Sequence, residues 1–97
     1  FGPVAPVTSF DSVEEVLARA NSVDVGLAGY AYTQNMALVQ RCVRELEVGM
    51  LAVNTGPISN AAAPFGGIKQ SGLGREGGPE GIEGYLETLY LGLPTPT

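Results

Sequence analysis

Ninety-seven residues with 44% apolar content allow one small domain at most. Five cations against ten acids leave a net charge of −5, which opposes a nucleic-acid backbone as a partner. No run approaches the apolar length of a membrane span and no secretory signal pattern is present. Histidine is absent, so the commonest general base and metal ligand is missing. A single cysteine rules out an internal disulfide and fits a reducing, cytoplasmic compartment.

In chain order, Val4–Ser9 is rich in valine and bounded by proline, and reads as a first strand with Pro6 near its start or at an edge position. Asp11 or Ser12 then opens a helix, since each has a glutamate three residues on (Glu14, Glu15), a capping-box signature. Val13, Val16, Leu17 and Ala20 follow i, i+3, i+4, i+7 spacing and predict one buried stripe. The two glutamates sit in the first turn, where the helix dipole favours them as solvated caps. Asn21 and Ser22 end the helix. Gly26–Thr33 reads as a second strand covered on both faces.

Thr33 is placed to cap a second helix with Met36, Val39, Val43 and Leu46 as its apolar face and Gly49 as its C-terminal glycine. Cys42 lies in this helix beside that face. Arg41 and Arg44 nearby could lower a thiol pKa in principle, but a buried, inert thiol is the expected state. Met50–Val53, a short apolar run after a helix stop, reads as a third strand.

The resulting β-α-β-α-β order predicts an α/β fold: a three-layer arrangement on a parallel sheet with right-handed crossovers. Ligands bind such sheets beyond the carboxyl ends of the strands. The long glycine-rich loop Asn54–Gly77 leaves from such an end. A loop of this length is functional or disordered, and Ile58, Phe65, Ile68 and Leu73 argue for an ordered one packed by its own side chains. Gly72–Gly77 spells G-x-G-x-x-G, but the dinucleotide fingerprint must follow a strand and open a helix. Gln70 after Lys69 breaks a Walker-type phosphate loop. The glycines by themselves supply positive φ and close backbone approach. That reading leaves the interleaved Lys69, Ser71, Arg75 and Glu76 unexplained. After the loop, Pro79 starts a short helix with Ile82, Tyr85 and Leu86 as its buried side. Glu87–Leu93 reads as a last strand and 94–97 as a flexible tail.

The run Pro64-Phe65-Gly66-Gly67-Ile68-Lys69-Gln70-Ser71-Gly72-Leu73-Gly74-Arg75-Glu76-Gly77 resembles the C-terminal signature of the aldehyde dehydrogenase superfamily. Phe1-Gly2-Pro3-Val4 resembles that family's nicotinamide-contacting segment, and Asn54-Thr55-Gly56-Pro57-Ile58-Ser59-Asn60 looks most like its succinate-semialdehyde branch. Departures from the branch include Gly78-Pro79-Glu80, Ala61 and Leu89.

The resemblance implies a C-terminal piece of a longer enzyme that uses NAD or NADP. In that enzyme a cysteine thiolate attacks the aldehyde, hydride leaves the thiohemiacetal, and a glutamate-activated water hydrolyses the thioester. Nucleophile, base and dinucleotide fold would lie outside this chain. Residues 1–86 would belong to the catalytic domain, and 87–93 would form an oligomerisation strand in a homodimer or homotetramer. Phe1 would pack on the nicotinamide ribose, although the chain end also allows it to be simply frayed. Phe65 would wall the substrate tunnel or pack the core of the loop. Ser59 would offer its hydroxyl, with nearby N–H groups, to the distal carboxylate of succinate semialdehyde, or would bond its own backbone. Lys69 and Arg75 are expected to tie the loop down, by bonding carbonyls or Glu76. The competing reading is a non-catalytic interaction module that pairs through its C-terminal strand.

Overall fold

The computed structural model describes residues 2–96. Helix α1 (Val13–Ala20) starts at Ser12, whose Oγ accepts the Glu15 N–H at 3.1 Å. Glu15 reaches back one residue further than a capping box requires and accepts the Asp11 N–H at 3.0 Å. Arg19, in the last turn, pairs with Glu15 and also donates to Thr8 Oγ1 at 3.0 Å and to the Ser9 carbonyl at 2.9 Å. These bonds fold the N-terminal segment back along the helix. Of the expected stripe, Leu17 is buried, Val13 and Val16 are half-buried and Ala20 is exposed.

The single strand expected over Gly26–Thr33 is two strands, β1 (Val25–Gly26) and β2 (Ala28–Ala31), interrupted at Leu27. They separate because they pair with different partners. β2 runs parallel to β3 (Met50–Val53), in register from Ala28 opposite Met50 to Ala31 opposite Val53. β1 runs antiparallel to β4 (Ile68–Lys69), which belongs to the long loop.

Helix α2 (Met36–Glu45) connects β2 to β3. Asn35 caps it in place of Thr33, its Oδ1 accepting the N–H groups of Ala37 at 3.0 Å and Leu38 at 3.3 Å. Thr33 acts one step earlier, its Oγ1 accepting the Asn35 N–H at 3.1 Å. The inner face runs through Leu38, Val39, Cys42 and Leu46. Met36 and Val43, expected on that face, are 67% and 66% exposed. Gly49 does not end the helix, because the cap is Leu46 in extended geometry. Arg41 joins the two helices, donating to Glu14 at 2.7 Å and in a two-pronged contact to Glu45 at 2.8 and 3.1 Å. Hydrogen bonding to this guanidinium holds both carboxyls below their ordinary range, and the same bonds, Glu45 first, raise Arg41.

Two expectations fail for want of a neighbour to pair with or pack against, the strand at 4–9 and the buried face of the short helix, and a third segment lacks its partner in the lone chain. Val4–Ser9 forms no strand: Val4 and Val7 are exposed, and the prolines beside them donate nothing to a ladder. The parallel sheet is therefore a two-stranded pair and not a three-stranded one. Glu87–Leu93 is extended but unpaired, with Leu89 and Tyr90 88% and 89% exposed. The short helix is a 3₁₀ helix over Pro79–Tyr85, and Ile82, Tyr85 and Leu86, expected inside, are exposed.

The apolar core is correspondingly small: among the described residues, Leu17, Cys42, Met50 and Ala52 are buried and none of the larger side chains is fully enclosed. The radius of gyration is 18.9 Å, against roughly 13 Å for a compact domain of this length. No described helix is long and apolar enough to cross a membrane.

A chain with so little enclosed apolar surface is expected to be marginally stable alone and to self-associate. Sedimentation of the purified chain, combined with thermal unfolding, checks this. A monodisperse monomer with a sharp cooperative transition would contradict it.

Candidate functional site

The long loop begins where β2 and β3 end, and Asn54 fixes that start. Its φ is 56°, in the left-handed region that asparagine tolerates better than most residues. Its amide is spent on one partner: Oδ1 accepts the Thr33 N–H at 2.8 Å and Nδ2 donates to the Thr33 carbonyl at 2.8 Å. The Asn54 N–H continues the ladder to the Ala31 carbonyl at 2.9 Å. The carboxyl ends of the two parallel strands are thereby locked side by side, and the loop leaves from the edge where α/β sheets bind ligands.

Further on, Asn60 makes a turn in which its Oδ1 accepts the Ala62 N–H at 2.9 Å. Phe65 and Glu76 then exchange backbone hydrogen bonds at 2.6 and 2.7 Å, closing the intervening residues into a sub-loop. Inside it, Gln70 N–H donates to the Asp24 carbonyl at 2.9 Å, and Ser71 Oγ accepts the Gly26 N–H at 2.9 Å. Arg75 Nη1 donates to the carbonyls of Gly67 at 2.8 Å and Gly74 at 2.7 Å. Lys69 Nζ donates to the carbonyls of Asn21 at 3.0 Å and Val23 at 3.1 Å, and pairs with the Glu47 carboxylate. Of the two expected ways of tying the loop down, both loop cations take the carbonyls, and Arg75 bonds Gly67 and Gly74 and not Glu76.

The sub-loop lies directly on the connection between α2 and β3. A Cβ at Gly49 would stand 2.0 Å from the Gly66 carbonyl oxygen and 2.7 Å from Gly67 Cα. Gly49 is thus required for backbone contact, a role sequence reading misassigned to a helix stop.

Ser59 and Phe65 border one open depression of about 310 Å³, together with Asn60, Ala63, Glu76 and Gly77. Ser59 is exposed on its rim and Phe65 is half-buried. Phe65 also borders a wider depression of about 800 Å³ that reaches Arg75 and Tyr85, and so is common to the two. Among the described residues, Glu76 is the one charged residue lining the smaller depression. Cys42 is 7% exposed within α2, and Glu14 and Glu15 are occupied by Arg41 and by the α1 cap, so none of them joins this site. Phe1, assigned above to the cofactor, lies outside the described residues.

The Gly72–Gly77 run does not open a helix. Gly72 N–H turns back to the Lys69 carbonyl at 3.4 Å, Glu76 N–H is spent on Phe65 at 2.7 Å, and the 3₁₀ helix starts only at Pro79. The described residues therefore offer no dinucleotide cradle at this motif. No group of His, Cys, Asp and Glu among them could hold a metal ion. Sequence reading missed Asn54, Ser71 and Gly49 as the residues that shape the loop. The available signals were an asparagine just past a strand end and a serine beside glycines.

A model of the aldehyde dehydrogenase family matches residues 1–90. The chain belongs to the aldehyde dehydrogenase family. Rat mitochondrial succinate-semialdehyde dehydrogenase is 59% identical over 91 residues, which are 94% of this chain and 17% of the rat protein. The crystal structure of an aldehyde dehydrogenase from Brucella melitensis biovar abortus 2308 superposes with a TM-score of 0.88 at 58% identity, covering 93% of this chain and 19% of that one. An aldehyde dehydrogenase from Bacillus cereus, solved as its NAD+ complex, superposes at 0.86 with 47% identity, covering 90% of this chain and 18% of that one. The chain spans about a fifth of the length of the dehydrogenases it matches, and the likeness supports the α/β assignment.

In an aldehyde dehydrogenase carrying this segment, Gly49→Ala is expected to cost about 3 kcal/mol or more, because a methyl group would meet backbone and not a movable side chain. Gly56→Ala is the control, since a Cβ there meets nothing within 4 Å, and it should change stability by less than about 0.5 kcal/mol. Equal melting temperatures for the two variants would remove the close approach from the account.

Proposed function

We propose that this chain is the C-terminal part of the catalytic domain of an NAD(P)-dependent aldehyde dehydrogenase that oxidises succinate semialdehyde to succinate. The observation that carries this reading is Ser59 and Phe65 on one depression, in a loop launched from the carboxyl ends of two parallel strands. The likeness to the rat enzyme supports the substrate, and the likeness to the Bacillus cereus complex supports the cofactor.

The nicotinamide cofactor, when bound, accepts the hydride that the aldehyde carbon gives up. The role of this chain is to hold the other end of the substrate. Ser59 donates its hydroxyl proton to the distal carboxylate, and Phe65 walls the path and excludes water beside the chain of methylenes. The nucleophile and general base come from outside this chain, because Cys42 is enclosed by α2 and its neighbours. The extended, apolar Glu87–Leu93 fits a strand that pairs with another copy in a dimer or tetramer. A non-catalytic module would use the same strand but leaves the Ser59–Phe65 depression without a purpose.

Two outcomes follow. The isolated chain forms no NAD(P)H from any aldehyde. Formation by the purified chain above a heat-killed control would overturn the assignment of the nucleophile to another segment. In the full-length enzyme, a hydrogen bond to a charged group is worth about 1.5–3 kcal/mol. Ser59→Ala should therefore lower kcat/KM for succinate semialdehyde roughly ten- to a hundredfold. An uncharged aldehyde of similar length should lose less than about threefold. Equal losses for the two substrates would mean that Ser59 only shapes the loop.

A further inference from the structure

Lys69 carries two features that loop anchoring alone does not require. Its φ is 54°, a left-handed conformation in which a lysine is strained and a glycine or asparagine would be at ease. Its side chain is drawn in, 26% exposed, to three acceptors from two different connections: the Asn21 and Val23 carbonyls after α1, and the Glu47 carboxylate between α2 and β3. A point charge with three donors suits a ring of separate oxygens better than a planar guanidinium would. The neighbouring residues repeat the attachment, Gln70 to Asp24 and Ser71 to Gly26.

We infer that Lys69 is a positioning residue that sets substrate affinity by latching the second half of the loop to the α1–β1 and α2–β3 connections. This inference rests on the semialdehyde reading proposed above. Lys69 does not border the depression that holds Ser59 and Phe65. It acts through the chain, because only three residues separate it from Phe65 and the Phe65–Glu76 pair closes the sub-loop it anchors. The first half of the loop is fixed independently by Asn54 on Thr33. Release of the latch is expected to let Phe65 shift relative to Ser59, while the β2–β3 pair and the Asn54 lock, neither of which involves Lys69, stay in place.

The test uses the full-length enzyme and active-site titration, so that KM and kcat refer to folded molecules. Lys69→Met should raise KM for succinate semialdehyde by about five- to fiftyfold, with kcat per active site and KM for the cofactor within about twofold of wild type. Lys69→Arg, which keeps the charge but replaces the compact ammonium with a planar fork, should recover part of that loss, giving a KM between those of Lys69→Met and wild type. Glu47→Gln keeps both carbonyl bonds and should give a smaller rise in KM than Lys69→Met. It also serves as the reading if Lys69→Met does not fold.

An unchanged substrate KM in Lys69→Met overturns the latch, as does one in Glu47→Gln when Lys69→Met cannot be made. A fall in titratable sites with KM unchanged overturns it too, since that is what a purely structural lysine produces. A wild-type enzyme that does not oxidise succinate semialdehyde would fail the substrate reading instead, and that failure is visible before any variant is made.

Discussion

Everything in the loop depends on a place where three stretches of main chain meet without side chains between them. Gly49 N–H donates to the Gly26 carbonyl at 3.0 Å, and the Gly66 carbonyl rests against the α carbon of Gly49. On the other side, a Cβ on Gly26 would lie 2.3 Å from the Glu47 carbonyl. Absent side chains let β1, the α2–β3 connection and the sub-loop stack at backbone distance. Backbone groups brought this close are kept from water and need partners: the Gly49 N–H donates to the Gly26 carbonyl, the Met50 N–H to the Leu27 carbonyl, and the Gly26 N–H to the side-chain Oγ of Ser71.

Two of the charged groups in the chain do different work. Glu14, Arg41 and Glu45 form an exposed network that aligns the two helices, and its perturbed titration reflects that pairing and not a reactive site. Lys69 and Arg75 are more deeply engaged, and most of their partners are carbonyl oxygens. A carbonyl cannot change its charge, so these anchors have no titratable acceptor apart from Glu47. The loop is thus held mainly by fixed dipoles, a preorganised form of support for groups that must meet a substrate.

What the sequence made legible was local. The Ser12 cap and the strand Met50–Val53 can be read because each depends on residues a few positions away or on a simple run of apolar side chains. The helix cap slipped from Thr33 to Asn35 because two good capping residues stood two apart, and the asparagine reached two N–H groups. The break at Leu27 was hidden because an apolar run does not reveal that its two halves have different partners. Strands at 4–9 and 87–93 carry β-forming residues, but a strand is defined by its neighbour, and pattern alone cannot supply one. The depression at Ser59 and Phe65 was legible as a neighbourhood and not as a shape, since the Asn54 lock that places it joins residues 21 apart in sequence.

The location of these supports separates shape from stability. The anchors of the loop, Asn54 on Thr33, Ser71 on Gly26, Lys69 on the two connections and Arg75 on Gly67, are all made within this segment. The apolar surfaces that would stabilise it are not enclosed here. Val4, Val7 and Phe10 at one end and Leu89, Tyr90, Leu91 and Leu93 at the other remain exposed, as do Ile82 and Tyr85 beside the loop. A hydrogen bond inside such a segment directs the chain but contributes only about 0.5–1.5 kcal/mol net, whereas burying one large apolar side chain is worth about 1.5–3 kcal/mol. The loop therefore takes its path from its own polar contacts and its persistence from the surfaces that cover its flanks. Substitutions at the anchors should then be felt first in what the loop holds, and substitutions on the exposed apolar flanks first in whether the segment stays folded at all.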